Sequence, residues 1–560
     1  MRRGWALLGL LALAACSGVD DVSGQGQNEC RDVEAGALPA QPEAKSGRES
    51  FLVRYRSGAR VSAAAVQRLG GQVTAQYHFV PAVAARLTPE ERAQLAAHPD
   101  VERIEPDVEL RALGLPSAVG SVQEYTHAVR LVQAPRVWDA NEDGMLDTGA
   151  PVGSGIRVCV IDSGLDRRHP ELSIPYAGGY DFVDEDEDPS DETDGVRGFG
   201  HGTHVAGIIA AQLSSGGVTR TGMNQGGMVG VAPGVELLIA RVLNVHETAS
   251  ISAVLEGLEW CWNNNAHIAS LSLGTSMDLG KIAREAFQTA HDKGMLIVAA
   301  SGNDSGLGYE APISYPAAYP SVLAVGAVDM DGEVAFFSNR GSGLSLVAPG
   351  VDVLSSISLQ GATVSALDVE GEPYTSRSLF FSPAGEYTGA LVDCGQGEPH
   401  GCKGATCDGF VAYVRLPGSR ASSAAKNVMK QGARAIIFGI DESENESWLK
   451  ALDGPGLKWV PSLAVGRESR ATVLKNLGKP VHVNLRGVDY AELPGTSMAA
   501  PHVSAVAALV WSARPSLTAT EVRVLLERTA KDLGDTGRDP SYGYGLVQAK
   551  AALDALQQLP

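Results

Sequence analysis

The sequence predicts a three-layer α/β domain, a parallel sheet covered by helices on both faces, and three observations carry that reading. Between residues 123 and 355, short apolar runs recur without polar alternation: IRVCVID, ELLIARVL, IASLSLG, MLIVAAS and SVLAVGAV. Runs of that kind belong to strands buried on both faces. Helical segments, notably ISAVLEGLEWCWNNN and KIAREAFQTAHDKG, lie between them, which is the rhythm of strands joined by crossover helices. Finally, the rhythm breaks near residue 357 and resumes after 488 with an apolar helix, GTSMAAPHVSAVAALV, so the sheet domain is interrupted by an insert.

The elements follow in order. Arg2 and Arg3 precede the apolar run Trp5–Ala15, too short for a bilayer span, and residues 1–15 read as an export signal. The run closes on LAAC, which resembles a bacterial lipobox and makes Cys16 a candidate acylated residue. The alternative is ordinary signal cleavage, leaving a free protein. Residues 16–49 have the composition of a tether. Residues 50–113 form a small α+β unit: FLVRY, PAVAARL and VERIEPD are strand-like, SAAAVQRLG and TPEERAQLAAHPD helical. An unstructured linker, roughly 114–122, follows. The sheet domain occupies 114–356 and 489–560, and residues 357–488 make a β-rich insert.

Composition excludes some functions. The chain has 560 residues, and 65 acidic against 45 basic side chains leave a net charge of −20, unsuited to a nucleic-acid surface. No internal stretch is long and apolar enough to cross a bilayer, so membrane contact is expected only through the N-terminal lipid. Cys394, Cys402 and Cys407 crowd one loop-rich stretch, where export permits a local disulfide whose pairing is not legible. Cys159, in an apolar strand, reads as a buried small hydrophobe.

Three motifs carry chemistry. Asp162 ends the strand of VCVIDSGLDRRHPEL, His201 opens the helix of GFGHGTHVAGIIA, and Ser497 sits in GTSMAAPH. Serine is a weak nucleophile until a base lies within hydrogen-bond reach, and an acid can orient that base. Ser497 also reads as the N-cap of its helix. His204 and His502 read as packing residues. With these flanks and in the order Asp, His, Ser, the sequence resembles the subtilisin-like serine proteases, the subtilases, over most of 120–356 and 490–560.

That resemblance implies a subtilisin-like fold and a serine endopeptidase made as a zymogen. Asp162, His201 and Ser497 would form the triad, and Asn303 of VAASGND would donate to the oxyanion. Residues 50–113 resemble the inhibitor propeptide, an intramolecular partner cut near Leu113 or as late as 122. The insert resembles a protease-associated domain. Ser272, Leu273 and Gly274, with Glu247, Thr248 and Ala249 opposite, match the strands that hold an extended peptide. Ala300, Ser301 and Gly302 would line the pocket before the scissile bond, with Ser314 as a small floor that leaves room for a large apolar group.

Calcium is the expected cofactor, in a structural role. Residues 181–194 hold nine acids and no base, and Asp181, Asp184, Asp186 and Asp188 resemble a subtilase calcium loop. Gln123, Glu171 and Asn224, with backbone oxygens of Gly222, Gly226 and Met228, match a second site, although Glu171 replaces the usual Asp. DANEDGMLD resembles half an EF-hand loop but has Ala150 where the last ligand belongs. The expected partners are polypeptide substrates and the chain's own propeptide, with the protein acting as a monomer.

Overall fold

The computed structural model describes residues 47–558 apart from 60–62, 113–116, 119–123, 142, 192–199, 214–226, 307, 380, 417–420, 441–451 and 453–458. The signal, Cys16 and nearly all of the tether lie outside the described residues.

A small unit comes first: β1 (Glu49–Tyr55), α1 (Ala63–Arg68), β2 (Gln72–Gln76), β3 (Ala82–Leu87), α2 (Pro89–Ala96) and β4 (Val101–Pro106). Its sheet runs β2-β3-β1-β4. Thr88 and Glu91 form a capping box at the start of α2, with Pro89 in the first turn. Strand β2 was missed in the sequence because, of its five residues, only Ala75 is buried, so no apolar pattern announces it. Two short strands follow, β5 (Glu109–Ala112) and β6 (Ser117–Ala118). The expectation of an unstructured linker at 114–122 is corrected at β6, which takes a partner strand described below.

The main domain runs α3 (His127–Leu131), α4 (Pro135–Trp138), β7 (Arg157–Asp162), β8 (Tyr176–Asp181), α5 (His201–Ala210), β9 (Glu236–Arg241), β10 (Thr248–Ser250) and α6 (Ile251–Asn263). It continues with β11 (Ile268–Leu271), β12 (Leu273–Gly274), α7 (Gly280–Asp292), β13 (Leu296–Ala300), β14 (Val322–Val328), β15 (Leu346–Pro349) and β16 (Val353–Ser356). Seven strands make one parallel sheet in the order β15-β14-β13-β11-β7-β9-β8. Alternate residues of each strand enter two cores. Val158 and Val160 face the core that contains α5, whereas Cys159 and Ile161 face the core that contains α6 and α7. This double burial explains why the strands read as unbroken apolar runs.

The insert holds β17 (Ala362–Val369), β18 (Glu372–Tyr374), β19 (Arg377–Ser378), β20 (Gly385–Asp393), β21 (Phe410–Leu416), α8 (Ala421–Lys430), β22 (Ala433–Ile440), β23 (Ser462–Val465), α9 (Arg467–Lys475) and β24 (Pro480–Val488). These eight strands form a mixed sheet, β18-β17-β24-β20-β21-β22-β23-β19. The chain then returns as β25 (Tyr490–Leu493), α10 (Thr496–Ala513), α11 (Ala519–Thr529) and α12 (Ala549–Leu556). Strand β25 pairs antiparallel with β16 on one side and β6 on the other. The two ends of the insert are therefore adjacent, which is how the main domain accommodates it without losing its own order.

Cys159 is corrected by the structure: it is bonded to Cys261 of α6, 102 positions away. The strand and the helix that packs on it bring the two sulfurs together, a long-range contact that no local pattern reveals. Cys394 is bonded to Cys402. Cys407 is also disulfide-bonded. The Cys159–Cys261 bridge closes a long loop, so it constrains the unfolded chain strongly. We expect Cys159→Ala with Cys261→Ala to lower unfolding stability by about 2–5 kcal/mol in denaturant titrations. An unchanged midpoint would show the bridge to be dispensable.

Candidate active site

Asp162 is the last residue of β7, and His201 the first of α5. Both side chains are fully buried, and His201 Nδ1 lies 2.7 Å from Asp162 Oδ1. The close approach depends on Gly202, where a Cβ would sit 2.3 Å from the carbonyl oxygen of Gly164. The same carboxylate oxygen accepts from the Ser163 N–H at 2.7 Å. Behind it stands a group that the sequence reading did not single out. Buried Asp191 accepts from Ser163 Oγ at 3.0 Å and from the N–H and hydroxyl of Thr203 at 3.0 and 2.7 Å. In the sequence it is one acid among nine, which hides it.

Burial alone would depress the His201 imidazole below its ordinary value of 6.5. Asp162, with Glu247 and Asp191 further off, outweighs that effect and raises it. The other two histidines behave differently. His204 Nε2 meets the carbonyls of Val353 and Ala491 at 3.0 and 3.1 Å, tying α5 to both strands that frame the insert, and burial pushes it down to about 3. His502 Nδ1 faces the Met498 carbonyl at 2.7 Å and is pushed down to about 4, again by burial.

Ser497 is not the N-cap of its helix. Gly495 holds that position and Ser497 lies inside the first turn of α10, completely buried. Its hydroxyl donates to the Ser272 carbonyl at 2.9 Å, while Ser272 Oγ donates to the Ser497 carbonyl at 2.7 Å. The second bond has a cause in the sequence. Pro501, four residues on, has no N–H to give the Ser497 carbonyl, so that carbonyl is left for Ser272. Asn303 follows β13, and its Oδ1 accepts from the N–H and hydroxyl of Thr496 at 2.9 and 2.8 Å. With its oxygen held, the amide turns its NH₂ away from Thr496. No local pattern marks Thr496 for this role.

Strand β5 is threaded between β10 and β12, pairing antiparallel with each. Arg111 and Leu110 oppose Thr248 and Ala249, and Ala112 opposes Leu273. The Ala112 N–H donates to the Glu247 carbonyl at 3.0 Å. Ser272, the residue just before β12, is bonded to Ser497, so the described end of β5 lies next to the serine's partner. Beyond it, β6 pairs with β25, so the chain is held on both sides of the serine. The small N-terminal unit that delivers β5 packs on α6 and α7 and caps them. Glu105 accepts from the N–H groups of Lys281 and Ile282, and Asp107 from the N–H and hydroxyl of Ser252.

Near the end of β13, Ala300, Ser301 and Gly302 are buried. Gly302 has φ +109°, and a Cβ there would strike Asn339 and Ser314. Ser314 itself is buried, receiving a hydrogen bond from Asn339 Nδ2 at 3.1 Å.

The four acids of the 181–188 loop are not gathered around one point. Asp181 and Asp184 both pair with Arg241, and Asp188 pairs with Arg167 at 2.6 Å. Among the described residues, no three His, Cys, Asp or Glu side chains are placed to hold a metal. That arrangement does not fit calcium, because arginines already neutralise the charge that a cation would relieve. Asp139 of the EF-hand-like loop takes the N–H groups of Asp143 and Gly144 for itself. Of the second set, Gln123, Gly222, Asn224 and Gly226 lie outside the described residues. Glu171 fits better: it is buried, its Oε1 accepts from Met228 N–H at 2.6 Å, and Oε2 has no hydrogen-bond partner. Burial pushes this carboxyl up to about 8.

Comparison with known proteins decides the family. The Subtilase family matches residues 153–378 and 466–545, and Peptidase inhibitor I9 matches 49–113. This chain belongs to the subtilase family. M-protease of Shouchella clausii (strain KSM-K16) is 38% identical over 293 residues, 52% of this chain and 66%, just under two thirds, of that protein. Subtilisin Savinase of Lederbergia lenta is 42% identical over 246 residues, 44% of this chain and 78% of that protein. Among solved structures, fervidolysin from Fervidobacterium pennivorans, a keratinolytic enzyme related to subtilisin, covers 95% of this chain and 64% of its own. Its TM-score of 0.56 at 20% identity speaks for the fold alone. The subtilase match leaves out residues 379–465, most of the insert.

If His201 is the base, activity requires its neutral form and disappears as pH falls through its raised value. We therefore expect the acid limb of the kcat/KM profile to have its midpoint above 6.5. Asp162→Asn should reduce kcat by about 10⁴-fold at neutral pH. An acid limb well below 6.5 in the wild type would contradict this account of the pair.

Proposed function

We propose that the protein is an exported serine endopeptidase, made as a zymogen and processed by its own active site. The observation that carries this is β5: an extended segment of polypeptide, paired on both edges, leading directly to the buried Asp162, His201 and Ser497. A site that merely bound peptides would have no use for a nucleophile, a base and an orienting acid at the end of that groove.

In the mechanism, the Ser497 hydroxyl leaves the Ser272 carbonyl and donates to the imidazole. His201 takes the proton as Oγ attacks the peptide carbonyl carbon. Charge then develops on the carbonyl oxygen. The Asn303 NH₂ and the Ser497 N–H, at the positive end of α10, are the donors placed to receive it. His201 returns its proton to the departing amine, leaving an ester on Ser497. Water, deprotonated by the same imidazole, hydrolyses that ester. Asp162 fixes which imidazole nitrogen carries hydrogen and stabilises the cation formed at each proton transfer. The pocket of Ala300, Ser301, Gly302 and Ser314 supports a large apolar or aromatic residue before the scissile bond.

Calcium would serve this enzyme structurally, with Glu171 as the described ligand that fits. The insert acts as a protease-associated domain that restricts or recruits substrates. Cys16 serves as a lipid attachment point at the cell envelope.

A serine-directed fluorophosphonate tests the central reading. We expect stoichiometric labelling of the processed protein and none of Ser497→Ala. An unlabelled, folded wild-type protein would favour an inactive peptide-binding protein on the same fold. Calcium is tested separately: chelation should lower the thermal midpoint by several degrees. Glu171→Gln should remove that difference, and an identical midpoint with and without chelator would eliminate the calcium proposal.

A further inference from the structure

Glu247 is a charged residue in a costly position. It is not glycine, yet its backbone has φ +57°, a left-handed conformation that crowds any Cβ against the following carbonyl oxygen. Glu247 is half-buried, and its carboxyl group lies close enough to Asp162 and Asp191 to feel their repulsion, and to His201 to feel its attraction. Burial pushes it up to about 7. Oε1 has no hydrogen-bond partner. A buried acid without a donor is destabilising, and such groups need a reason to persist.

The reason lies in what passes over it. Val108, Leu110 and Ala112 form the inward face of the N-terminal segment, packed on the α6–α7 core. Leu110 is fully buried, whereas Ala112 is only partly covered. The Ala112 N–H is bonded to the carbonyl of Glu247 itself, so any residue in that register stands beside this acid. Alanine offers it nothing. A longer, cationic side chain at the same register could reach the carboxyl group while its stem covers the apolar floor.

We propose that Glu247 is a specificity-determining residue that selects lysine or arginine at the substrate position occupied here by Ala112, second before the scissile bond. The self-processing segment carries a neutral residue there and is a weaker match than the substrates the mature enzyme prefers. This rests on the endopeptidase reading and on cleavage after position 113.

The test uses the processed enzyme and four peptides identical except at that position, where they carry Ala, Lys, Arg or Glu. The wild type should cleave the Lys and Arg peptides about tenfold better than the Ala peptide in kcat/KM, and the Glu peptide worst. In Glu247→Gln the Lys-to-Ala ratio should fall towards one, and in Glu247→Asp part of the preference should remain. A wild-type ratio near one, or a preference for Ala or Glu, overturns the proposal without any variant. An unchanged Lys-to-Ala ratio in Glu247→Gln overturns it as well. Failure of the endopeptidase reading looks different: no peptide is cleaved and the fluorophosphonate does not react.

Discussion

Asp162 and His201 are both withdrawn from water, and each tolerates that withdrawal only because the other is there. A lone buried carboxylate or imidazolium would carry a large desolvation penalty. Side by side at 2.7 Å they share a hydrogen bond and, when the imidazole is charged, an attraction strengthened by the poor dielectric around them. Keeping them together constrains the fold around them. Strand β7 must end where α5 begins, Gly202 must lack a side chain, and Ser163, Asp191 and Thr203 must bind the two backbones to one another. The parallel sheet supplies this geometry, because its strand ends and helix starts meet along one edge.

The same edge explains the N-terminal unit. Strands β10 and β12 leave a gap that an extended chain can complete as the middle strand, and β5 does so. Most of what it offers is main-chain hydrogen bonding, which any polypeptide could give. In the proposed endopeptidase, selectivity would come from side chains beneath the segment: the apolar floor under Leu110, the small-residue pocket past Ala300, and the carboxyl group of Glu247. Glu105 and Asp107, by capping α7 and α6, hold the unit and β5 in register with the main domain.

Much of this was legible in the sequence because it depends on local pattern. The buried strands are continuous apolar runs, and the motifs around Asp162, His201 and Ser497 announce themselves through glycines and small residues. Features that depend on distant contacts were not. Cys159 reads as a core residue until α6 is packed on β7, and Asp191 is lost among its acidic neighbours. Thr496 gives no sign that it orients Asn303. Ser497 reads as a helix cap because serine favours that place, but Gly495 holds the cap and Ser497 lies inside the first turn. The acids at 181–188 suggest a cation, yet two arginines distant in sequence supply the charge.

In the proposed zymogen, the segment after Ala112 is the first peptide that Ser497 attacks. Intact mass and N-terminal sequencing of the purified protein, beside Ser497→Ala, test it most directly. The wild type should yield a main chain that begins just after position 113, and the variant an uncut chain. Cleavage at the same place in Ser497→Ala, without another protease present, would contradict it.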